Sequence, residues 1–114
     1  NIVKNFEIYE DSENYYLMQE YCEQGDLLTF IKKEATISLK MVKIIIEQIL
    51  NATIYIHKSN IIHKNIKPEN VLVSYTGEKD ENGDYLDIIL KISDVGSATF
   101  FDRDEQANFN ISCY

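Results

Sequence analysis

Apolar residues follow two rhythms along this chain. The first 21 positions favour strands: Phe6 to Tyr9 and Tyr15 to Tyr21 are rich in β-forming types. The polar run Glu10-Asp11-Ser12-Glu13-Asn14 between them is a turn signal, so the pattern predicts an antiparallel hairpin. Helical spacing then takes over. Gly25-Asp26 opens a short helix through Leu27, Leu28, Phe30 and Ile31, with Asp26 as its expected cap. A longer helix is predicted from Ser38, a plausible N-cap, to His57. Val42, Ile45, Ile46, Ile49, Thr53 and Ile56 recur near the helical period. Lys40, Lys43, Glu47 and Asn51 supply a wet face, yet more than half the circumference is apolar, which places this helix at the centre of a core. Ser59-Asn60 ends it.

Ile61-Ile62 leads into the octet His63-Lys64-Asn65-Ile66-Lys67-Pro68-Glu69-Asn70, where Pro68, the only proline, fixes a turn and offers no backbone donor. Val71-Leu72-Val73 reads as a short buried strand and Ile88 to Ile92 as the next. Ser74 to Asp87 between them is an acidic, glycine-containing loop. Asp94-Val95-Gly96 breaks the last strand, and Ala98 to Tyr114 reads as irregular. The class is α+β.

Composition narrows the picture modestly. A chain of 114 residues is one small domain or a piece of a larger one, and 45% hydrophobic with 26% charged residues suits a folded protein. A net charge of −8 argues against nucleic acid or an anionic membrane as the main partner. No apolar run reaches the roughly 18 residues of a membrane span. Cys22 and Cys113 have no metal-ligand spacing and suggest a reducing compartment. With no targeting segment, a cytoplasmic location is expected. The first residue is Asn1, and the chain is expected to be an excerpt of a longer protein.

The octet carries the chemistry. His63-Lys64-Asn65 followed by Asn70 resembles the catalytic loop of protein kinases, H-R-D-x-x-x-x-N, and Asp94-Val95-Gly96 resembles their D-F-G metal motif. Lys67-Pro68-Glu69-Asn70 is similar to the Ser/Thr-specific version of that loop. The order of elements resembles a kinase from its fourth strand into the activation segment, over essentially the whole chain. The resemblance implies a partial kinase-like fold: a small-lobe hairpin plus a helical large lobe, both incomplete. On it, 1–21 is the end of the small lobe, 22–25 the hinge, and 26–114 the start of the large lobe through the catalytic loop and activation segment.

The resemblance also implies ATP, Mg²⁺ and a protein substrate or partner for the complete parent. Asn70 and Asp94 would hold the metal, which as a hard cation takes oxygen ligands. Lys67 would face the transferred phosphoryl group, and Gly96 would supply the torsion that swings the next segment away. Gln19 would be the gatekeeper of the adenine pocket. The carbonyl of Glu20 and the amide and carbonyl of Cys22 would meet the adenine edge. Asp26 would lie near the ribose, and Leu72 beneath the ring. This chain alone is expected to bind ATP weakly, because no phosphate-binding glycine loop and no strand lysine in a V-A-I-K-like setting occur in it.

Asn65 is the main departure. An amide accepts a hydrogen bond but takes no proton at useful pH. General-base assistance is worth about 10²- to 10⁴-fold, or about 3 to 5.5 kcal/mol of barrier. Impaired phosphotransfer is therefore expected; the alternatives are a working kinase that uses Asn65 for positioning, and an interaction scaffold indifferent to nucleotide. Lys64 in place of Arg loses the planar fork, Val95 in place of Phe removes an aromatic, and the stretch from Asn70 to Asp94 is longer than usual.

Other residues read plainly. His63 is expected to be structural, packed and bonded to backbone. His57 at a helix end is a favourable C-terminal charge or a partly buried filler. Asp80 to Asp84 tempts toward calcium, but Tyr85 and Lys91 stand where an EF-hand needs Gly and Glu, so a solvated acidic loop is expected. Tyr15, Tyr16, Tyr21, Tyr55 and Tyr75 read as strand and core aromatics. Ser97, Thr99, Ser112 and Tyr114 are phosphorylation candidates by position alone.

Overall fold

The computed structural model describes residues 1–34 and 36–101. Its order is β1 (Asn5–Glu10), β2 (Tyr15–Gln19), α1 (Leu27–Lys33), α2 (Leu39–Lys58), β3 (Ile61–Ile62), β4 (Val71–Ser74), β5 (Ile89–Ile92) and β6 (Thr99–Phe100). Three antiparallel two-stranded ribbons form: β1–β2, β3–β6 and β4–β5.

The predicted hairpin is β1–β2. Its turn closes on Asp11, whose carboxylate accepts from the amides of Glu13 and Asn14, both at 2.8 Å, an Asx-type arrangement. Tyr15 and Tyr16 on this hairpin are exposed, as are Tyr21 and Tyr55. The expectation of core aromatics therefore fails for these four: no described element covers the hairpin's faces. Tyr75 does pack against the core.

Both helices start where their caps predict. Asp26 accepts from the Thr29 amide at 2.8 Å and Ser38 from the Met41 amide at 3.0 Å. The core lies between the helices and the β4–β5 ribbon, built from Leu27, Phe30, Met41, Ile45, Ala52, Ile56, Val71, Val73, Ile88, Leu90 and Ile92. The α2 helix is not surrounded. It buries only the stripe Met41, Ile45, Ala52 and Ile56 and leaves Val42, Ile46, Leu50 and Ile54 exposed. Only one of its faces meets a described partner, so a single stripe at i, i+4, i+11, i+15 is dry.

Gln48 of α2 stitches the helix to β5. Its side-chain oxygen accepts from the Leu90 amide at 2.9 Å and its nitrogen donates to the Ile88 carbonyl at 2.9 Å. Residues 1–3 run beside β5 on the same side: Val3 donates to Ile92 and Ile92 to Asn1, each at 2.9 Å.

Two local expectations change. Residues 99–100 are not irregular; Thr99 and Phe100 pair with Ile62 and Ile61 as β6. The remainder of the stretch expected to be irregular, with Ser112, Cys113 and Tyr114, lies outside the described residues. The acidic loop is also more than a solvated excursion. It folds onto the start of α2: Asp84 is buried, accepts from the Ser38 hydroxyl at 2.6 Å and lies 4.0 Å from Lys40, which pairs with Asp80 at 2.6 Å. The Tyr75 and Tyr85 rings lie 4.1 Å apart between centres, tilted by 37°, and close on Phe30. Tyr85 donates to Glu34 at 2.7 Å. Aromatic burial, invisible to a count of acidic residues, overrides the loop's polarity.

This docking depends on pH. The Lys40 hydrogen bond to Asp80 holds its carboxyl below the ordinary 3.8, and the Tyr85 hydroxyl holds Glu34 below the ordinary 4.5. Groups depressed on folding stabilise fully above their unfolded pKa and lose that contribution as pH falls through the folded one. The amide resonances of Gly83 and Asp84 should therefore stay unchanged from neutral pH to about 5 and shift as pH falls below about 4. Lys40→Ala should move that transition upward; an unmoved transition would contradict the pairing.

Candidate functional site

The site is built where the β4–β5 ribbon ends. Val71 pairs with Ile92, and one step further the Ser93 amide and hydroxyl both donate to the Asn70 carbonyl, at 2.8 and 3.0 Å. That register sets Asn70 beside Asp94. Pro68–Asn70 is a single 3-10 turn closed by the Asn70 amide on the Lys67 carbonyl at 2.9 Å, with proline at the first position, where its missing donor costs nothing.

Two predicted residues converge on a carboxylate oxygen of a third. Asp94 Oδ2 accepts from Asn65 Nδ2 at 2.8 Å and from Asn70 Nδ2 at 3.1 Å. Asn70 Nδ2 also donates to the Asn65 carbonyl at 2.9 Å. A carboxylate only accepts, so chemistry fixes both amides with nitrogen inward. A carboxylate in place of Asn65 would stand as a like charge at this distance. At about 4 Å such a pair costs about 1 kcal/mol in water and about 4 kcal/mol at an effective dielectric near 20, unless a cation or proton lies between.

His63 braces this arrangement. It is 2% exposed, donates through Nε2 to the Ser93 carbonyl at 3.0 Å and accepts the Asn65 amide on Nδ1 at 3.3 Å. The ring is structural, as expected, and ties the octet to the end of β5. Lys64 and Asp94 hold left-handed backbone, at φ 64° and 58°, a conformation that side chains other than glycine adopt at a cost. Gly96 does not: the unusual torsion falls on Asp94. A Cβ at Gly96 would lie 3.3 Å from Asp94 Oδ1, so this glycine leaves room for the carboxylate. Lys67 is exposed two residues beyond Asn65, on the same loop.

The other predicted residues line the start of the large helical part. Gln19, half-buried at the end of β2, donates to Asn5 at 2.7 Å, so its amide is engaged across the hairpin. Cys22 is buried, its thiol pKa raised mainly by that burial, and its carbonyl accepts from Gly25 at 3.3 Å. Asp26 caps α1 through both oxygens, on the Thr29 amide and hydroxyl, which hold its carboxyl below the ordinary range. Leu72, half-buried, bridges to Asp26 across the chain, and the Val73 amide donates to Gly25 at 2.8 Å. Residues 22–26 and Leu72 are thus brought together.

One residue escaped sequence reading. Lys91 lies opposite Leu72 in the ribbon and pairs with the Glu20 side chain, which also accepts the Lys4 amide at 2.7 Å. This pair lowers the Glu20 pKa. No periodicity links positions 20 and 91; only the closed ribbon does. Among the described residues no cluster of three or more His, Cys, Asp or Glu is positioned to hold a metal. Where Asp94, Asn70 and Asn65 meet, only Asp94 turns an oxygen to this point; the amide oxygens of Asn70 and Asn65, which suit a hard cation in kind, face away from it in this hydrogen-bonded arrangement.

Comparison with known proteins agrees with this arrangement. The sequence pattern of the protein kinase domain matches residues 1–113. The chain is 39% identical over 105 residues to calcium-dependent protein kinase 6 of Plasmodium berghei (strain Anka), covering 92% of the chain and 6% of that protein. It is 40% identical over 98 residues to 3-phosphoinositide-dependent protein kinase B of Dictyostelium discoideum, covering 86% of the chain and 10% of that protein. It is 34% identical over 109 residues to calcium/calmodulin-dependent serine/threonine-protein kinase 1 of Oryza sativa subsp. japonica, covering 95% and 17%. A crystal structure of the Rad53 kinase domain and SCD2 superposes with a TM-score of 0.69 at 32% identity, covering 87% of this chain and 34% of that one. The chain belongs to the protein kinase domain family, with Ser/Thr kinases among its relatives and a partial α+β kinase fold. It spans less than a fifth of the length of these curated relatives. No described helix is long and apolar enough to cross a membrane.

The Glu20–Lys91 pair should be measurable. Both side chains are about three-quarters buried. A double-mutant cycle with Glu20→Gln and Lys91→Met, read by urea denaturation, should give a coupling of about 0.5–2 kcal/mol. Additive single effects would show the pair to be idle.

Proposed function

We propose that the protein containing this chain is a Ser/Thr-type kinase-like domain whose phosphotransfer is weak or absent, and that it acts chiefly as a nucleotide-binding scaffold for a protein partner. In this reading 1–21 closes the small lobe, 22–25 is the hinge and 26–114 opens the large lobe. Asn70 and Asp94 hold magnesium, which when bound neutralises the phosphates. Lys67 faces the transferred group, and Glu20, Cys22, Asp26 and Leu72 border the nucleoside.

The observation that carries it is the role of Asn65. Where phosphotransfer wants an acceptor for the substrate hydroxyl proton, this side chain donates to Asp94 at 2.8 Å. Its remaining oxygen can orient a hydroxyl but cannot take its proton. Because phosphoryl transfer rests largely on positioning and metal, a residual rate persists.

In the complete protein, Asn65→Asp should raise phosphotransfer by about 10²- to 10⁴-fold, and Asp94→Ala should abolish it in either background. A wild-type turnover already at the usual ~1–100 s⁻¹ of kinases would contradict the proposal. It would favour the reading in which Asn65 positions the substrate in a working enzyme.

A further inference from the structure

We infer that the acidic loop 74–87 is a strap: it holds α1 from the helix's far end and opens together with it, so that an event at the loop reaches the residues at the helix's near end. The strap lies outside the catalytic octet, and only its ATP readout rests on the kinase-like reading above.

The α1 helix has seven residues, fewer than the roughly 12–15 at which a helix in water is marginal by itself. Tertiary contacts therefore hold it, and they gather at its two ends. At the near end Asp26 caps the helix and bridges to Leu72, and the Gly25 carbonyl accepts the Val73 amide at 2.8 Å. The helix also lies against the Pro68–Asn70 turn. At the far end the loop supplies the contacts. Phe30, 3% exposed, meets the rings of Tyr75 and Tyr85 at 5.9 and 5.6 Å between centres. Glu34, just past the helix, accepts from the Tyr85 hydroxyl at 2.7 Å and pairs with Lys79 at 3.3 Å. Lys79 in turn lies over the Tyr85 ring, 4.1 Å from its centre. The loop then reaches the start of α2 through Asp84 on Ser38 and Asp80 on Lys40. One segment thus fastens the end of α1 to the start of α2. With its rings withdrawn, Phe30 loses cover and the short helix loses its far anchor. Loop and helix therefore open as one cooperative unit. Asp26 and Leu72, at the near end, border the nucleoside in the functional reading. A ligand held there closes the strap, and a partner that opens the strap opposes that ligand by the same factor.

The test is amide hydrogen exchange on the complete protein, resolved for α1, α2 and the loop. Tyr75→Ser and Tyr85→Ser should each speed exchange across α1 by about tenfold. Exchange at the buried α2 residues Ile45, Ala52 and Ile56 should stay unchanged. In wild type, ATP at about ten times its Kd should slow α1 and the loop amides of Gly83 and Leu86 alike, by about tenfold. If neither serine substitution moves α1 exchange, the inference is overturned. It is also overturned if ATP slows α1 and leaves Gly83 and Leu86 at their free rates. Should a serine variant loosen α2 as well, Tyr85→Phe decides, because it keeps the ring and removes only the Glu34 bond. Exchange of α1 faster than wild type then upholds the strap, and equal exchange overturns it. A wild type that binds no ATP overturns the nucleotide-binding part of the functional reading; the substitutions, which need no ligand, still decide the strap.

Discussion

The register of the β4–β5 ribbon is the constraint on which the site depends. Val71 faces Ile92, and the pairing continues one step through the Ser93 amide and the Asn70 carbonyl. A slip of one residue would turn every side chain of β5 to the opposite face. Leu90 and Ile92 would leave the core, and Asp94 would leave Asn70. Burial of Val71, Val73, Leu90 and Ile92, each at 2% exposure or less, is what forbids the slip. Packing energy in the core is thereby converted into a fixed position for two polar side chains at the ribbon's end.

The octet is then attached to that end by few contacts, each with a distinct job. His63 joins the loop to Ser93 from within the core. The 3-10 turn at Pro68 delivers Asn70 into the strand. Asn65 closes the triangle by bonding Asp94 directly. The left-handed backbone at Lys64 and Asp94 is a cost that these contacts hold in place. Two neutral amides hydrogen-bond one carboxylate oxygen. The amide at position 65 thus ties the catalytic-loop octet to Asp94.

Much of this was legible in the residues. The caps Asp26 and Ser38, the hairpin turn at Asp11 and the strand Val71 to Val73 follow from local chemistry, and local chemistry survives folding. The triad Asn65, Asn70 and Asp94 was legible through its spacing in a family motif, not through physics. What stayed hidden depends on contacts between distant positions. Tyr75 and Tyr85 pull the acidic loop onto α1, which no charge count reveals. Lys91 meets Glu20 only once the ribbon has formed. The apolar excess of α2 reads as centrality in sequence, yet Val42, Ile46, Leu50 and Ile54 face outward among the described elements, because burial needs a partner as well as a pattern. At the Asp94-Val95-Gly96 turn the left-handed torsion falls on Asp94, which the glycine's presence did not indicate.

The central claim is that the Asn65 and Asn70 amides both donate to the Asp94 carboxylate. Side-chain amide NMR tests it most directly, without nucleotide or metal. In the wild-type protein one proton of each of these two amides should resonate clearly downfield of free asparagine, and both should return toward the free position in Asp94→Ala. Asn65 and Asn70 amide signals at free-asparagine positions, unmoved by that substitution, would contradict the account.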